Sequence, residues 1–113
     1  MKYYFLGKDM IIEMRTYKIK SGELQNFIKI YNEEIREIHV KILGNQIGFF
    51  YTEVGNVNEV VHLYGYDSFE DRQARRMSLS KQPEFHAYLD KVKNIILDMQ
   101  NKLMIPTDFS KIK

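Results

Sequence analysis

His62 stands in the middle of "VVHLYGY" (60–66), a run that alternates. Alternation places Val60, His62, Tyr64 and Tyr66 on one side of a strand and Val61 and Leu63 on the other. An imidazole changes charge near neutral pH and can take or give a proton. A second alternating run, "MIIEMRTYKI" (10–19), sets Glu13, Arg15 and Tyr17 on one side, adding a carboxylate, a guanidinium and a phenol. Tyr51 joins them from a third aromatic-rich run, "IGFFYTEV" (47–54). Arg76 follows Arg72 by one helical turn in "SFEDRQARR" (68–76) and can reach the mouth of a shared cavity. Such a set suits a small anionic or aromatic ligand. The small aliphatics Val61 and Leu63 suit packing against helices, so His62 and the two tyrosines are expected on the open side of a sheet.

The same residues support a plainer reading. Glu13, Arg15, His62 and the tyrosines can satisfy one another as a buried hydrogen-bond network with no ligand at all. Arg72, Arg75 and Arg76, beside Glu70 and Asp71, can equally be a solvated helix face with local ion pairs. Both readings stand at this level.

Other chemistries are excluded more firmly. His86 and Asp90 are one helical turn apart, but no third ligand accompanies them and His39 has no spacing link to either, so no metal site is expected. There is no cysteine, hence no disulfide or thiolate. No phosphate loop, dinucleotide fingerprint or nucleophile elbow is present, and no cofactor is expected. Seventeen basic and 15 acidic side chains leave a net charge of +2, too little to point to nucleic acid. No apolar run is long enough to insert in a membrane. The opening "MKYYFLGKD" is too short for a secretory signal and lacks the composition of a transit peptide, so a cytoplasmic location is expected.

The elements that must hold these groups follow from periodicity. A strand over 10–19 leads through "KSG", with Ser21 as an N-cap, into a helix. Leu24, Phe27, Ile28, Tyr31, Ile35, Ile38 and Ile42 form one stripe along about five turns, ended by Gly44 and Asn45. Strands over 47–54 and 59–66 flank the tight connection "GNVN". Ser68 and Asp71 form a capping-box pattern for a helix over 69–80. Pro83 opens a further helix whose stripe runs through Phe85, Tyr88, Leu89, Val92, Ile95 and Ile96. The segment 98–105 fits either a continued helix or a strand.

If the last segment is a strand, the order is β-α-β-β-α-β, an α+β ferredoxin-like unit with an extra helix: a four-stranded antiparallel sheet covered by helices on one face. A bare apolar sheet face favours pairing with a second copy. The segments "EMRTYKIKSGELQNFIKIYNEE", "GFFYTEVGNVNEVVHLYGYDSFEDRQARR", "PEFHAYLDKV" and "PTDFS" resemble the NIPSNAP family from about Ile11 to Ser110. Tyr64 stands where that family often has Trp. The resemblance implies a dimeric α/β barrel built from two such sheets and a strand at 98–105. It also implies one domain over 10–110, with 1–9 an N-terminal extension. Eukaryotic members are linked to mitochondria and to vesicle or mitophagy pathways, and related dimeric barrels include monooxygenases, haem-degrading enzymes and isomerases.

The expected function is that of a small-molecule-binding or protein-interaction homodimer without established catalysis. The rival expectation is a cofactor-independent enzyme, monooxygenase-like or isomerase-like, acting on a small aromatic or anionic substrate. An enzyme should have an accessible cavity and a His62 whose titration is shifted. An interaction module should have a closed one.

Overall fold

The computed structural model describes residues 10–113. The proposed extension 1–9 lies outside the described residues. Strand β1 (Ile11–Ile19) is followed by helices α1 (Leu24–Glu34) and α2 (Arg36–Leu43). Strands β2 (Asn45–Tyr51) and β3 (Glu59–Tyr66) come next, then helices α3 (Phe69–Ser80) and α4 (Pro83–Val92), and finally β4 (Ile96–Met104). The sheet is antiparallel in the order β2-β3-β1-β4. This is the ferredoxin-like α+β arrangement, with the two central strands coming from opposite halves of the chain.

Register decides which side chains share a face. Glu13 lies opposite Tyr64, Arg15 opposite His62 and Tyr17 opposite Val60. On β4, Leu103, Asn101 and Met99 pair with Glu13, Arg15 and Tyr17. On β2, Phe49 lies opposite His62. Residues directly opposite one another project to the same side. All of these therefore belong to one face, and it is the face the helices cover. Val60 packs with Phe27, Tyr31, Tyr88 and Val92, while Tyr64 and Tyr66 pack with Leu43 and Leu79.

This corrects the expected orientation of His62, Tyr64 and Tyr66, which do not face the open side of the sheet. Val61 and Leu63 do, and they are only half-buried. The physical reason is volume. Tyrosines span the gap between sheet and helices and bury their rings, and the Tyr64 hydroxyl finds partners at the far end, whereas that of Tyr66 is buried without one. The open face carries Met14, Thr16, Val61, Leu63, Phe50 and Met104.

The long helix expected from Glu23 to Ile42 is broken at Ile35, whose backbone leaves helical geometry at φ −139°, ψ −16°. The break lets α1 bury Phe27 and Tyr31 in one cluster while α2 buries Leu43 in another. Ser21 is not the cap: Glu23 takes that position, with no side-chain cap bond. Ser68 does cap α3, its Oγ accepting from the Asp71 N–H at 3.0 Å. Asp71 reaches back to the N–H of Asp67 at 3.1 Å, one residue beyond the usual reciprocal partner.

The ambiguous 98–105 segment is strand, and β4 begins at Ile96, so Ile95 and Ile96 do not continue α4. β2 starts at Asn45, two residues before the expected 47, and a bulge at Ile47 shifts its register against β3. Among the described residues no helix is long and apolar enough to cross a membrane.

Candidate functional site

The helix-covered face buries three polar groups: Glu13, His39 and His62. Glu13 is fully buried, and its Oε2 accepts from Asn101 Nδ2 at 2.7 Å, Arg72 Nη2 at 2.8 Å and Arg15 Nη1 at 3.0 Å. Burial alone would push this carboxyl up. The hydrogen bonds from Arg72 and Asn101 and the charges of Arg15 and Arg72 outweigh it and hold the pKa at about 2. Arg15 turns its Nε and Nη2 to the Tyr17 hydroxyl at 3.2 and 3.1 Å. Each member of this group is thus oriented by another, and Glu13 joins β1, α3 and β4.

A second chain of contacts runs beneath α2. Gln46 Nε2 donates to the Tyr31 hydroxyl at 2.9 Å, and that hydroxyl lies 2.9 Å from His39 Nδ1. The Tyr64 hydroxyl lies 2.7 Å from His62 Nδ1, 3.4 Å from Gln46 Nε2 and 3.5 Å from His39 Nδ1. Burial holds both histidines at a pKa of about 3. The nearby guanidiniums, Arg15 and Arg76, push in the same direction. Both are therefore neutral near pH 7, and each phenol has one proton to give. The distances suit donation from Tyr31 to His39 at 2.9 Å and from Tyr64 to His62 at 2.7 Å, the roles of the ring nitrogens being assigned by the tautomer. On this assignment the proton of His62 sits on Nε2.

The His62 ring is locked by its neighbours. Phe49 stacks on it at 4.6 Å and Tyr17 meets it edge-on at 4.7 Å. Its Nε2 is buried without a hydrogen-bond partner, and so is Arg76 Nη1. Both residues line a cavity of about 260 Å³ between the sheet and the helices, with Arg15, Tyr17 and His39 also in the wall. Rings from Phe27, Phe49, Phe85 and Tyr88 form much of the remainder, and the exposed Leu89 and Met99 mark its mouth. A larger depression of about 520 Å³ lies over Thr16, Lys18 and the β2–β3 turn, but no buried, unpartnered polar atom lines it.

Of the seven candidates, the structure brings Arg15, Tyr17, His62 and Arg76 to the cavity. Glu13 and Tyr64 stand behind its wall and orient residues that line it. Tyr51 is half-exposed near the end of edge strand β2 and does not line the cavity. The reason is the helix cover, which shelters the middle of the sheet and not its β2 rim.

Among the polar contributors, Gln46, His39, Asn101 and Arg72 escaped the sequence reading. His39 follows Ile35 by four and precedes Leu43 by four, so helical spacing places it on the buried stripe. Asn101 alternates with Met99 and Leu103. Arg72 carries no such signal, because its bond to Glu13 spans 59 positions. Among the helix-face arginines, Arg75 does make the local ion pair, with Asp71 at 3.0 Å. His86 accepts no metal-like company: its Nε2 lies 2.6 Å from the Ser80 carbonyl. No cluster of three metal-ligating side chains exists among the described residues.

Comparison with known proteins places this geometry in a family. The NIPSNAP family model matches residues 12–111. A crystal structure from Agrobacterium tumefaciens, described as a NIPSNAP family protein with unknown function, is 35% identical. It superposes with a TM-score of 0.90, the match covering 94% of this chain and 96% of that one. The Dictyostelium discoideum protein NipSnap homolog is 32% identical over 100 residues, which are 88% of this chain and 44% of that protein. The chain thus spans less than half the length of that relative. A Nitrosomonas europaea protein ascribed to the antibiotic biosynthesis monooxygenases shares the fold alone, at 11% identity and a TM-score of 0.64, over 92% of this chain and 94% of that one. The matched span, the solved structures and the shared β-α-β-β-α-β order agree: the chain belongs to the NIPSNAP family.

Proposed function

We propose that this protein is a small-molecule-binding homodimer, in which residues 10–110 act as one NIPSNAP-like unit in the cytoplasm. The cavity between sheet and helices carries the reading. Its walls are ordered by hydrogen bonds, and it is deep enough to hold a ligand of modest size. Dimerisation is supported by the open sheet face, where Met14, Val61, Leu63, Phe50 and Met104 form an apolar surface without helix cover. The absence of cysteine suits a reducing compartment.

The rival reading, a cofactor-independent oxygenase or isomerase, needs a group that exchanges protons near neutral pH. His62 lies in the right place and its titration is shifted, as expected of an enzyme, but burial and Arg15 move it to about 3, away from neutrality. A shift in that direction favours binding over acid–base catalysis.

Native mass spectrometry of gently purified protein tests both parts. The expected result is a dimer with retained small-molecule mass. A monomer overturns the homodimer. A dimer that retains nothing, and that takes up no compound from a panel of small aromatics, overturns the binding function.

A further inference from the structure

The two buried, unpartnered polar atoms that line the cavity are both nitrogens. His62 Nε2 carries a proton by the hydrogen-bond assignment above and is buried with no acceptor, on a residue only 3% exposed. Arg76 Nη1 is a second buried donor without a partner. Arg76 makes no ion pair among the described residues, whereas Arg15 and Arg72 share Glu13 and Arg75 has Asp71. Two buried nitrogens with nothing to accept from them are costly unless an acceptor arrives. The charge of the half-buried Arg76 makes an anion the complementary one.

The walls restrict it further. Phe49 and Tyr17 already grip the His62 ring by stacking and edge contact, and Phe27, Phe85 and Tyr88 continue the same surface. Such a lining favours a flat ring over a branched aliphatic chain. The volume of about 260 Å³ lies just below the usual range for drug-sized ligands and suits a small one. One unpaired guanidinium offsets one negative charge, so a carboxylate fits and a phosphate dianion leaves a charge buried.

We propose that the cavity binds a small aromatic monocarboxylate, its ring between Phe49 and Tyr88 and its carboxylate accepting from Arg76 Nη1 and His62 Nε2. This rests on the small-molecule-binding reading and names the class of ligand. Arg76 becomes the residue that selects for charge, and His62 the one that fixes orientation.

The test uses benzoate and its uncharged isostere benzamide, titrated calorimetrically into the full chain. Benzoate is expected to bind at least tenfold more tightly, in keeping with a charge-assisted hydrogen bond. Arg76→Gln should remove about that factor for benzoate and leave benzamide unchanged. In the unmutated protein, benzoate should shift the Nε2 resonance of His62 in nitrogen-15 spectra, a readout that does not depend on a variant folding. Equal affinity for the two compounds, or a benzoate affinity indifferent to Arg76→Gln, overturns the carboxylate proposal while leaving a binding cavity in place. If neither compound nor toluene binds, the cavity reading falls with it.

Discussion

The Tyr64 hydroxyl lies 2.7 Å from His62 Nδ1, although the two residues are on the same strand and only two positions apart. Side chains at i and i+2 project to one face, so β3 orients its own histidine without help from a loop. Tyr64→Phe keeps the ring and removes the bond. Both groups are buried, so the loss should be about 1–2 kcal/mol of unfolding free energy in urea titrations. A wild-type midpoint would mean that His62 is held by Phe49 and Tyr17 alone.

Glu13 gives the largest expected effect. Glu13→Ala leaves Arg15 and Arg72 facing each other in a poorly solvated site, with side chains only 13% and 15% exposed. Breaking a buried ionic cluster by removing one partner should cost about 3–5 kcal/mol. Glu13→Gln keeps an acceptor and should cost less. Chemical denaturation of the two variants side by side checks the order, and equal losses would show that charge is not what matters there.

Acid should weaken the fold earlier than carboxylates alone would allow. His39 and His62 have folded pKa values of about 3 against 6.5 when free, so between those limits the unfolded chain binds more protons than the native one. Stability then rises with pH across this window and falls as acid is added, by about 1.4 kcal/mol per pH unit for each histidine. Glu13, at about 2 against 4.5, acts in the same direction but only below pH 4.5. Thermal melts at half-unit steps should therefore show Tm declining from about pH 6.5. A Tm flat down to pH 4.5 would contradict the buried neutral state of both histidines.

Gly44 and Gly22 separate backbone strain from crowding. Both have positive φ, +90° and +86°, a region that disfavours any side chain. A Cβ at Gly22 meets nothing, but at Gly44 it would lie 2.9 Å from Arg75 Nη1, which donates to the Ile42 carbonyl. Alanine at either position should cost on the order of 1 kcal/mol. Gly44→Ala should cost more, because Arg75 must also move. Equal losses would mean that Arg75 yields freely.

Much of the fold was legible because it rests on local periods. Alternation marked β1 and β3, the 3-4 stripe marked α1, α2 and α4, and Ser68 marked the start of α3. The face of β3 was misjudged because size was read as a guide to which side packs on helices. Tyr64 and Tyr66 bury large rings, and long-range hydroxyl partners make the burial of Tyr64 tolerable. Those partners, Gln46 and His39, lie 18 and 25 positions from Tyr64. Nothing in the local pattern of β3 announces them. The break at Ile35 was equally silent, since the stripe of Ile35, Ile38 and Ile42 continues through it.

The sheet order also governs how the molecule comes into being. β1 lies between β3 and β4, and the bond from Asn101 to Glu13 closes a loop of 88 positions. Until residues 96–104 are synthesised, one edge of the first strand stays unpaired and Glu13 lacks one of its three donors. Pairings this distant in sequence form slowly, because the chain must lose the entropy of a large loop before any contact compensates. Before β4 docks the chain therefore carries an unfinished sheet edge and a partly satisfied charge, and in that interval it is most exposed to misassembly.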